Sequence, residues 1–288
     1  MKSTIAPLPL EGESTAAPGD ERFAFGRNWA RFLTHLTPAR LAAAEASLQQ
    51  MLQCDRLSGR TFLDIGSGSG LFSLAARRLG AEVRSFDYDG DSVACTRELR
   101  QRYFPGDPHW QIGQGSVLDA EFIAGLGTFD VVYSWGVLHH TGNLWRAVEL
   151  ASQAVAPGGQ FFIAIYNHGG SQTTRWTAIK RAYCRLPRAL QIPFAIAVST
   201  PGEIKSFGRA LLGRQPRRYF RSWSQSAPRT RGMSKWHDLI DWVGGYPYEA
   251  ARVDQVFDAC RDRGFTLERL VSGAGLGCNE FVFRRTRS

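Results

Sequence analysis

Phe62-Leu63-Asp64-Ile65-Gly66-Ser67-Gly68-Ser69-Gly70 runs from a short apolar stretch into an amphipathic one. Three alternate glycines let the backbone turn tightly and let a ligand approach the main chain closely. A plain strand-to-helix turn would use the same glycines. A dinucleotide fingerprint would need Gly or Ala three positions after the second glycine of a pair. Here Gly66 and Gly68 are followed by Leu71, and Gly68 and Gly70 by Ser73, so pyrophosphate binding is disfavoured. Asp64, two residues before the first glycine, instead places a carboxylate at a strand end, where a cationic ligand head would lie.

Outward from this loop, short apolar runs alternate with amphipathic ones. Strands are predicted at Thr61–Ile65, Glu82–Phe86, Trp110–Gly113, Phe129–Ser134 and Gln160–Ile165, with helices at Leu71–Leu79, Asp91–Tyr103 and Trp145–Val155. Such alternation implies βαβ units and a parallel sheet covered on both faces. Upstream, Thr37-Pro38 is an N-cap followed by Pro at N1 for a helix over Ala39–Leu52. After Tyr166 the pattern stops for about ninety residues. It resumes with a helix at Asp254–Arg263 and strands at Thr266–Val271 and Glu280–Phe283, separated by the Gly-rich stretch 272–277. The expected organisation is a flexible arm (1–20), an N-terminal helical lid (21–58), an α/β core (59–166), a mostly helical basic insertion (167–253) and a closing segment (254–288).

Asp87 falls 23 residues after Asp64, at the end of the second strand, where a carboxylate can accept both hydrogen bonds of a ribose diol. Alone it would read as a turn former. Together with the glycine loop, it makes the chain resemble the class I S-adenosylmethionine-dependent methyltransferases over about residues 60–166 and from 254 on. Gly115-Ser116-Val117-Leu118-Asp119 is similar to the family's adenine-framing segment, with Ser116 where many relatives carry an acid. The run from Phe129 through Ser134-Trp135-Gly136-Val137-Leu138-His139-His140 is similar to its fourth-strand motif, and Ala156-Pro157-Gly158-Gly159 to the turn before strand five. The resemblance implies a Rossmann-like, doubly wound, seven-stranded sheet with its last strand antiparallel. It also implies S-adenosylmethionine held by Asp64, Gly66, Ser67, Gly68, Gly70, Asp87, Tyr88, Ser116, Val117, Ser134 and Trp135, and no metal.

Methyl transfer from a sulfonium asks the protein mainly to position two reactants and exclude water. A base is needed only when the acceptor must lose a proton. Candidates at the carboxyl edge of the sheet are His139 and His140 after strand four, and Tyr166 and Asn167 after strand five. Each could equally be a cap or a packing residue. Strand four carries neither the Asn/Asp-Pro-Pro-aromatic motif of amino-group methylation nor a Pro-Cys nucleophile. The insertion adds Lys235-Trp236-His237-Asp238, Ile240-Asp241-Trp242-Val243-Gly244-Gly245-Tyr246-Pro247-Tyr248-Glu249, which with Cys278-Asn279-Glu280-Phe281 is similar to a bacterial branch of these enzymes and makes His237 a further candidate. Phe23-Ala24-Phe25-Gly26-Arg27-Asn28-Trp29 resembles that branch's opening segment, which implies a lid closing the acceptor pocket with the insertion.

Methyl transfer to a small-molecule acceptor is the leading expectation. The alternative keeps the cofactor but cyclises it to azetidine-2-carboxylate and methylthioadenosine, which needs an aromatic cage and no second substrate. An RNA substrate is suggested by the net charge of +9 and pI of 9.7. The charge is not spread evenly, however: residues 171–235 hold fourteen Lys and Arg against the single acid Glu203, so this stretch carries +13 and the rest of the chain −4. Only seven of those 65 residues are aromatic, so the stacking half of an RNA platform is missing and nucleic acid is not expected. The stretch instead suits an anionic acceptor, a carrier protein, a membrane surface or a solvated face. Five scattered cysteines, no secretory segment and no run long enough to span a bilayer lead to the expectation of a soluble, cytoplasmic protein with reduced thiols.

Overall fold

The computed structural model describes residues 23, 29, 33, 36–217, 219–220 and 235–287; within the last range the side chains of 235–238 and 241 are outside the description. The predicted arm, residues 1–20, lies outside the described residues. Helix α1 (Pro38–Leu52) starts where expected, with the Thr37 hydroxyl accepting from the Arg40 N–H, and ends at Gln53 in the left-handed region.

The core follows as β1 (Thr61–Ile65), α2 (Leu71–Arg78), β2 (Glu82–Asp87), α3 (Gly90–Tyr103), β3 (Trp110–Gln114), α4 (Ala120–Leu126), β4 (Phe129–Trp135), α5 (Leu144–Gln153) and β5 (Val155–Tyr166). The insertion supplies α6 (Ser171–Arg185), α7 (Arg188–Leu212) and α8 (Lys235–Gly244). Helix α9 (Val253–Arg261), β6 (Phe265–Val271) and β7 (Cys278–Arg285) complete the chain. The seven strands lie in the order β3-β2-β1-β4-β5-β7-β6, with β7 antiparallel to both neighbours.

Most boundaries lie within two residues of the sequence reading, and the largest difference is at the start of β5. The helix expected to reach Val155 stops at Gln153, and Val155 already pairs with Phe129 as the first residue of β5. Ala156-Pro157-Gly158-Gly159 is therefore not a turn before the strand but a bulge inside it, across which the register jumps to Val131 opposite Gln160. The seven-residue α4, capped by the Asp119 carboxylate accepting from the Phe122 N–H, carried no clear period in the sequence.

Alternation along the central strands divides the core in two. Leu63, Ile65, Val132, Phe161 and Ile163 face α4, α5 and α9, whereas Phe62, Val83, Val131, Tyr133 and Phe162 face α1, α2 and α3. Each fully buried large apolar side chain contributes about 1.5–3 kcal/mol, so both faces of the sheet hold it rigid beneath its carboxyl edge. The insertion has its own small core, in which Tyr183, Ala195 and Val243 pack with Trp176, Phe194 and Trp242.

Candidate functional site

The strand order reverses between β1 and β4, and a cavity of about 860 Å³ opens outside the carboxyl ends of the strands there. Of the sequence-predicted residues, Asp64, Gly66, Ser67, Gly68, Asp87, Tyr88, Ser116, Val117, Trp135, His140 and Tyr166 line it. The glycine loop crosses its floor. Gly66 has φ +76°, and a Cβ there would sit 2.5 Å from the Val137 methyls; one on Gly68 would lie 3.1 Å from the Trp29 indole. Both positions thus need the absence of a side chain for conformation and for space.

Asp64 is buried and held by a hydroxyl relay that brings together three separate elements. The Trp110 indole N–H donates to Ser85 Oγ at 3.0 Å, the Ser85 and Ser73 hydroxyls are 2.6 Å apart, and the Ser73 hydroxyl donates to the Asp64 carboxylate at 2.5 Å. Because Ser73 spends its proton on Asp64, Ser85 must donate to Ser73, so every hydroxyl in the relay donates once and accepts once. Asp87 braces the loop itself. Its two oxygens accept from the Gly68 and Asp89 N–H groups, each at 2.9 Å. Burial pushes its carboxyl up to about 6, against these hydrogen bonds, which favour the ionised form. Ser116 turns its hydroxyl back on the Leu118 N–H at 3.2 Å.

Toward α8 and the Tyr246–Pro247 segment the cavity is aromatic, and the described side chains that line it there include no carboxylate, ammonium or guanidinium. His140, Tyr166, Trp242 and Tyr246 line it with Phe23 and Pro247, while Trp29 lies over the glycine loop. The His140 Nδ1–H donates to the Pro247 carbonyl at 2.6 Å, which leaves the imidazole lone pair on Nε2. Burial first, then the Lys180 charge, lowers its pKa to about 3, so the ring is neutral at physiological pH. The Lys180 ammonium is fully buried, donates to the Trp242 carbonyl, and lies 4.3 Å from the Trp242 ring and 4.8 Å from that of Tyr248. The insertion's Tyr246–Glu249 segment is also tied to the strand-four turn. The Glu249 N–H donates to the His139 carbonyl at 2.9 Å, and its carboxylate accepts from the Leu144 N–H at the start of α5. The two sequence signatures are therefore structural partners across about a hundred residues.

Five candidates sit elsewhere. His139 is fully buried with its ring 4.0 Å from that of Tyr166, and its Nδ1 accepts from the Tyr166 N–H. Burial and the neighbouring His140 and Lys180 hold it well below the usual imidazole range. Asn167 donates from its side chain to the Gly275 carbonyl and from its main chain to Gly277, anchoring the loop between β6 and β7. Ser134 points away from the cavity and donates to the Ile65 carbonyl. Gly70 is the N-cap of α2, outside the cavity lining. His237 is on α8, but its side chain lies outside the described residues.

Sequence reasoning missed the Ser73–Ser85–Trp110 relay, Gln114, whose amide donates to the Tyr88 carbonyl, and the buried Lys180. Only Lys180 had a signal, and a weak one: it lies four positions after Trp176 and three before Tyr183, on the same side of a helix. Among the described residues, no three His, Cys, Asp or Glu side chains gather as a metal site.

The chain has recognisable relatives over part of its length. It is 31% identical over 143 residues to a ubiquinone biosynthesis O-methyltransferase of Methylobacterium sp. (strain 4-46), covering 48% of this chain and 55% of that protein. It is 32% identical over 108 residues to a tRNA U34 carboxymethyltransferase of Methylococcus capsulatus, covering 37% and 32%. The chain thus spans about half, or less, of the length of these relatives. Magnesium protoporphyrin IX methyltransferase from Synechocystis PCC 6803, solved with bound SAH, shares the fold at a TM-score of 0.51 and 13% identity over 85% of this chain and 83% of that one. A methyltransferase-domain family model matches residues 31–238, most of the chain, and the chain belongs to that family.

Proposed function

We propose that the protein transfers a methyl group from S-adenosylmethionine to a small acceptor whose reacting part is uncharged and largely apolar or planar. The observation that carries this reading is a single cavity with two chemically different ends. One has the glycine loop and the carboxylates of Asp64, Asp87 and Asp89; the other has an aromatic wall with no ionised group among its described side chains. Its 860 Å³ stands near the top of the roughly 300–1,000 Å³ range of small-molecule pockets, room for an acceptor beside the cofactor. In this reading Asp87 accepts the ribose diol and the Gly66–Gly68 main chain lets the ligand close in. Gln114, Ser116 and Val117 frame the base beside Tyr88, and Asp64 faces the amino acid group near Ser67 and Trp135. Gly70 and Ser134 support these residues from behind.

Bound there, S-adenosylmethionine would supply an electrophilic methyl carbon. The chain's own residues then hold and orient. Tyr166, Trp242 and Tyr246 sandwich the acceptor, and His140 accepts a hydrogen bond from it. With a pKa of about 3, His140 is a poor proton store, so the acceptor is a nucleophile that needs no strong base. Positioning of this kind supplies roughly 7–11 kcal/mol.

The experiment is to incubate pure protein with S-adenosylmethionine alone and with panels of phenols, amines and total tRNA, identifying the nucleoside product. S-adenosylhomocysteine formed only with a small acceptor is the expected result. Methylthioadenosine formed without any acceptor would assign the aromatic wall to cofactor cyclisation. Salt-sensitive methylation of tRNA would move the reading toward nucleic acid, the substrate class in the name of the Methylococcus relative.

A further inference from the structure

Helix α7 (Arg188–Leu212) is dressed in the opposite sense to an ordinary surface helix. Only Ala195 of its 25 residues is buried, yet Leu190, Ile192, Ile196, Ile204, Leu211 and Leu212 are between 48% and 88% exposed. Leu190, Ala197, Ile204 and Leu211 recur every seven residues, and all four are exposed. A heptad spacing drifts by only about 20° per repeat, so they form one apolar line facing outward. Residues 189–202 contain no charged side chain. Basic residues gather at both ends instead, Arg181, Arg185 and Arg188 on one side and Lys205, Arg209, Arg214 and Arg217 on the other. The lone acid Glu203 is half-buried and accepts from the Tyr219 hydroxyl at 2.9 Å. At 1.5 Å per residue the helix is about 37 Å long, but no described helix is long and apolar enough to cross a membrane.

We propose that α7 lies in the plane of an anionic lipid surface, its outward aliphatic line sunk into the acyl boundary and its flanking Arg and Lys on the lipid phosphates. An exposed apolar line with basic ends is the pattern of an interfacial helix. A second copy fits the same line less well, since it would bring one +13 stretch against another. The inference does not depend on the acceptor or on the reaction.

The test is co-sedimentation of the full chain with vesicles of phosphatidylcholine alone or with one-third phosphatidylglycerol, at low and high salt. Expected is binding roughly tenfold or more tighter to the anionic vesicles, since each basic residue near the surface adds about 1 kcal/mol, and weakened by salt. The Ile196→Glu/Ile204→Glu variant should lose it while keeping the wild-type Tm and S-adenosylhomocysteine affinity, which shows that it folds. Equal binding to both vesicle types, or undiminished binding by the variant, overturns the proposal. So does a wild-type dimer that the variant makes monomeric, or an acidic protein held on this face by a chain that ignores vesicles.

Discussion

Asp87 carries two demands that oppose each other. In the proposed binding mode its carboxylate must be ionised to accept both hydroxyls of a ribose diol, yet burial raises its pKa from 3.8 to about 6. Between these values the folded protein binds more protons than the unfolded chain, so stability from this group is full below about pH 4 and is lost as pH rises through 6. At neutral pH the residue therefore costs stability, and in the proposed mode it serves binding. Asp87→Asn removes the buried charge but keeps an acceptor for only one of the Gly68 and Asp89 N–H groups, so its Tm at pH 7.5 should stay close to that of the wild type, while it binds S-adenosylhomocysteine about 10–100-fold more weakly, because hydrogen bonds to a charged group are worth about 1.5–3 kcal/mol. In the wild type, affinity should fall about tenfold from pH 7.5 to pH 5, as the ionised fraction falls; in the variant it should stay flat. Titration calorimetry at the two pH values decides both points, and a wild-type affinity independent of pH would remove Asp87 from the ligand.

The turn from β1 to α2 is the element on which the site is built. Gly66 is held there by its φ of +76° and by the Val137 methyls, which come from the turn after β4. Gly66→Ala should cost roughly 1–3 kcal/mol for the backbone alone, plus the overlap with Val137. Adding Val137→Ala should return the overlap but not the backbone cost, so urea unfolding should rank wild type first, the double variant second and the single variant last. This element was legible in the sequence because its signals are local: a buried strand, alternate glycines and an acid at fixed spacing. The same holds for Asp87 at the end of β2, whereas the turn that Ser116 makes onto the Leu118 N–H was not read from the sequence. The aromatic wall was legible only in outline: Tyr166 and the Trp/Tyr-rich insertion could be read as parts of one cage, but which of their residues meet His140 depends on the order of strands and the return of the insertion, which spacing does not encode. Neighbours in sequence misled for a related reason. Side chains alternate along a strand, so Trp135 reaches the cavity and Ser134 turns its back on it. The bulge at Ala156–Gly159 looked like a turn because Pro-Gly-Gly is the same local signal in either setting.

At the scale of the whole molecule, the described residues of the N-terminal segment touch three bodies at once. The Phe23 N–H donates to the Tyr246 carbonyl of the insertion at 3.0 Å, and its ring packs against Gly244 and Tyr183. Trp29 covers Gly68 of the glycine loop, and Leu33 is buried in the core beneath α1 and α2. A segment pinned at both ends in this way should act as one clasp over the cavity, so that losing either contact releases the same closed state. Phe23→Ala and Trp29→Ala should each speed dissociation of S-adenosylhomocysteine several-fold, and the double variant should dissociate little faster than the worse single one. Two unrelated contacts would add within about 0.3–0.5 kcal/mol, whereas a shared clasp gives a larger coupling energy. Stopped-flow displacement followed by tryptophan fluorescence for the Phe23 series, and by radiolabelled ligand for the Trp29 series, measures all four corners of the cycle. Strict additivity would mean that Phe23 merely packs on the insertion and that Trp29 alone covers the ligand.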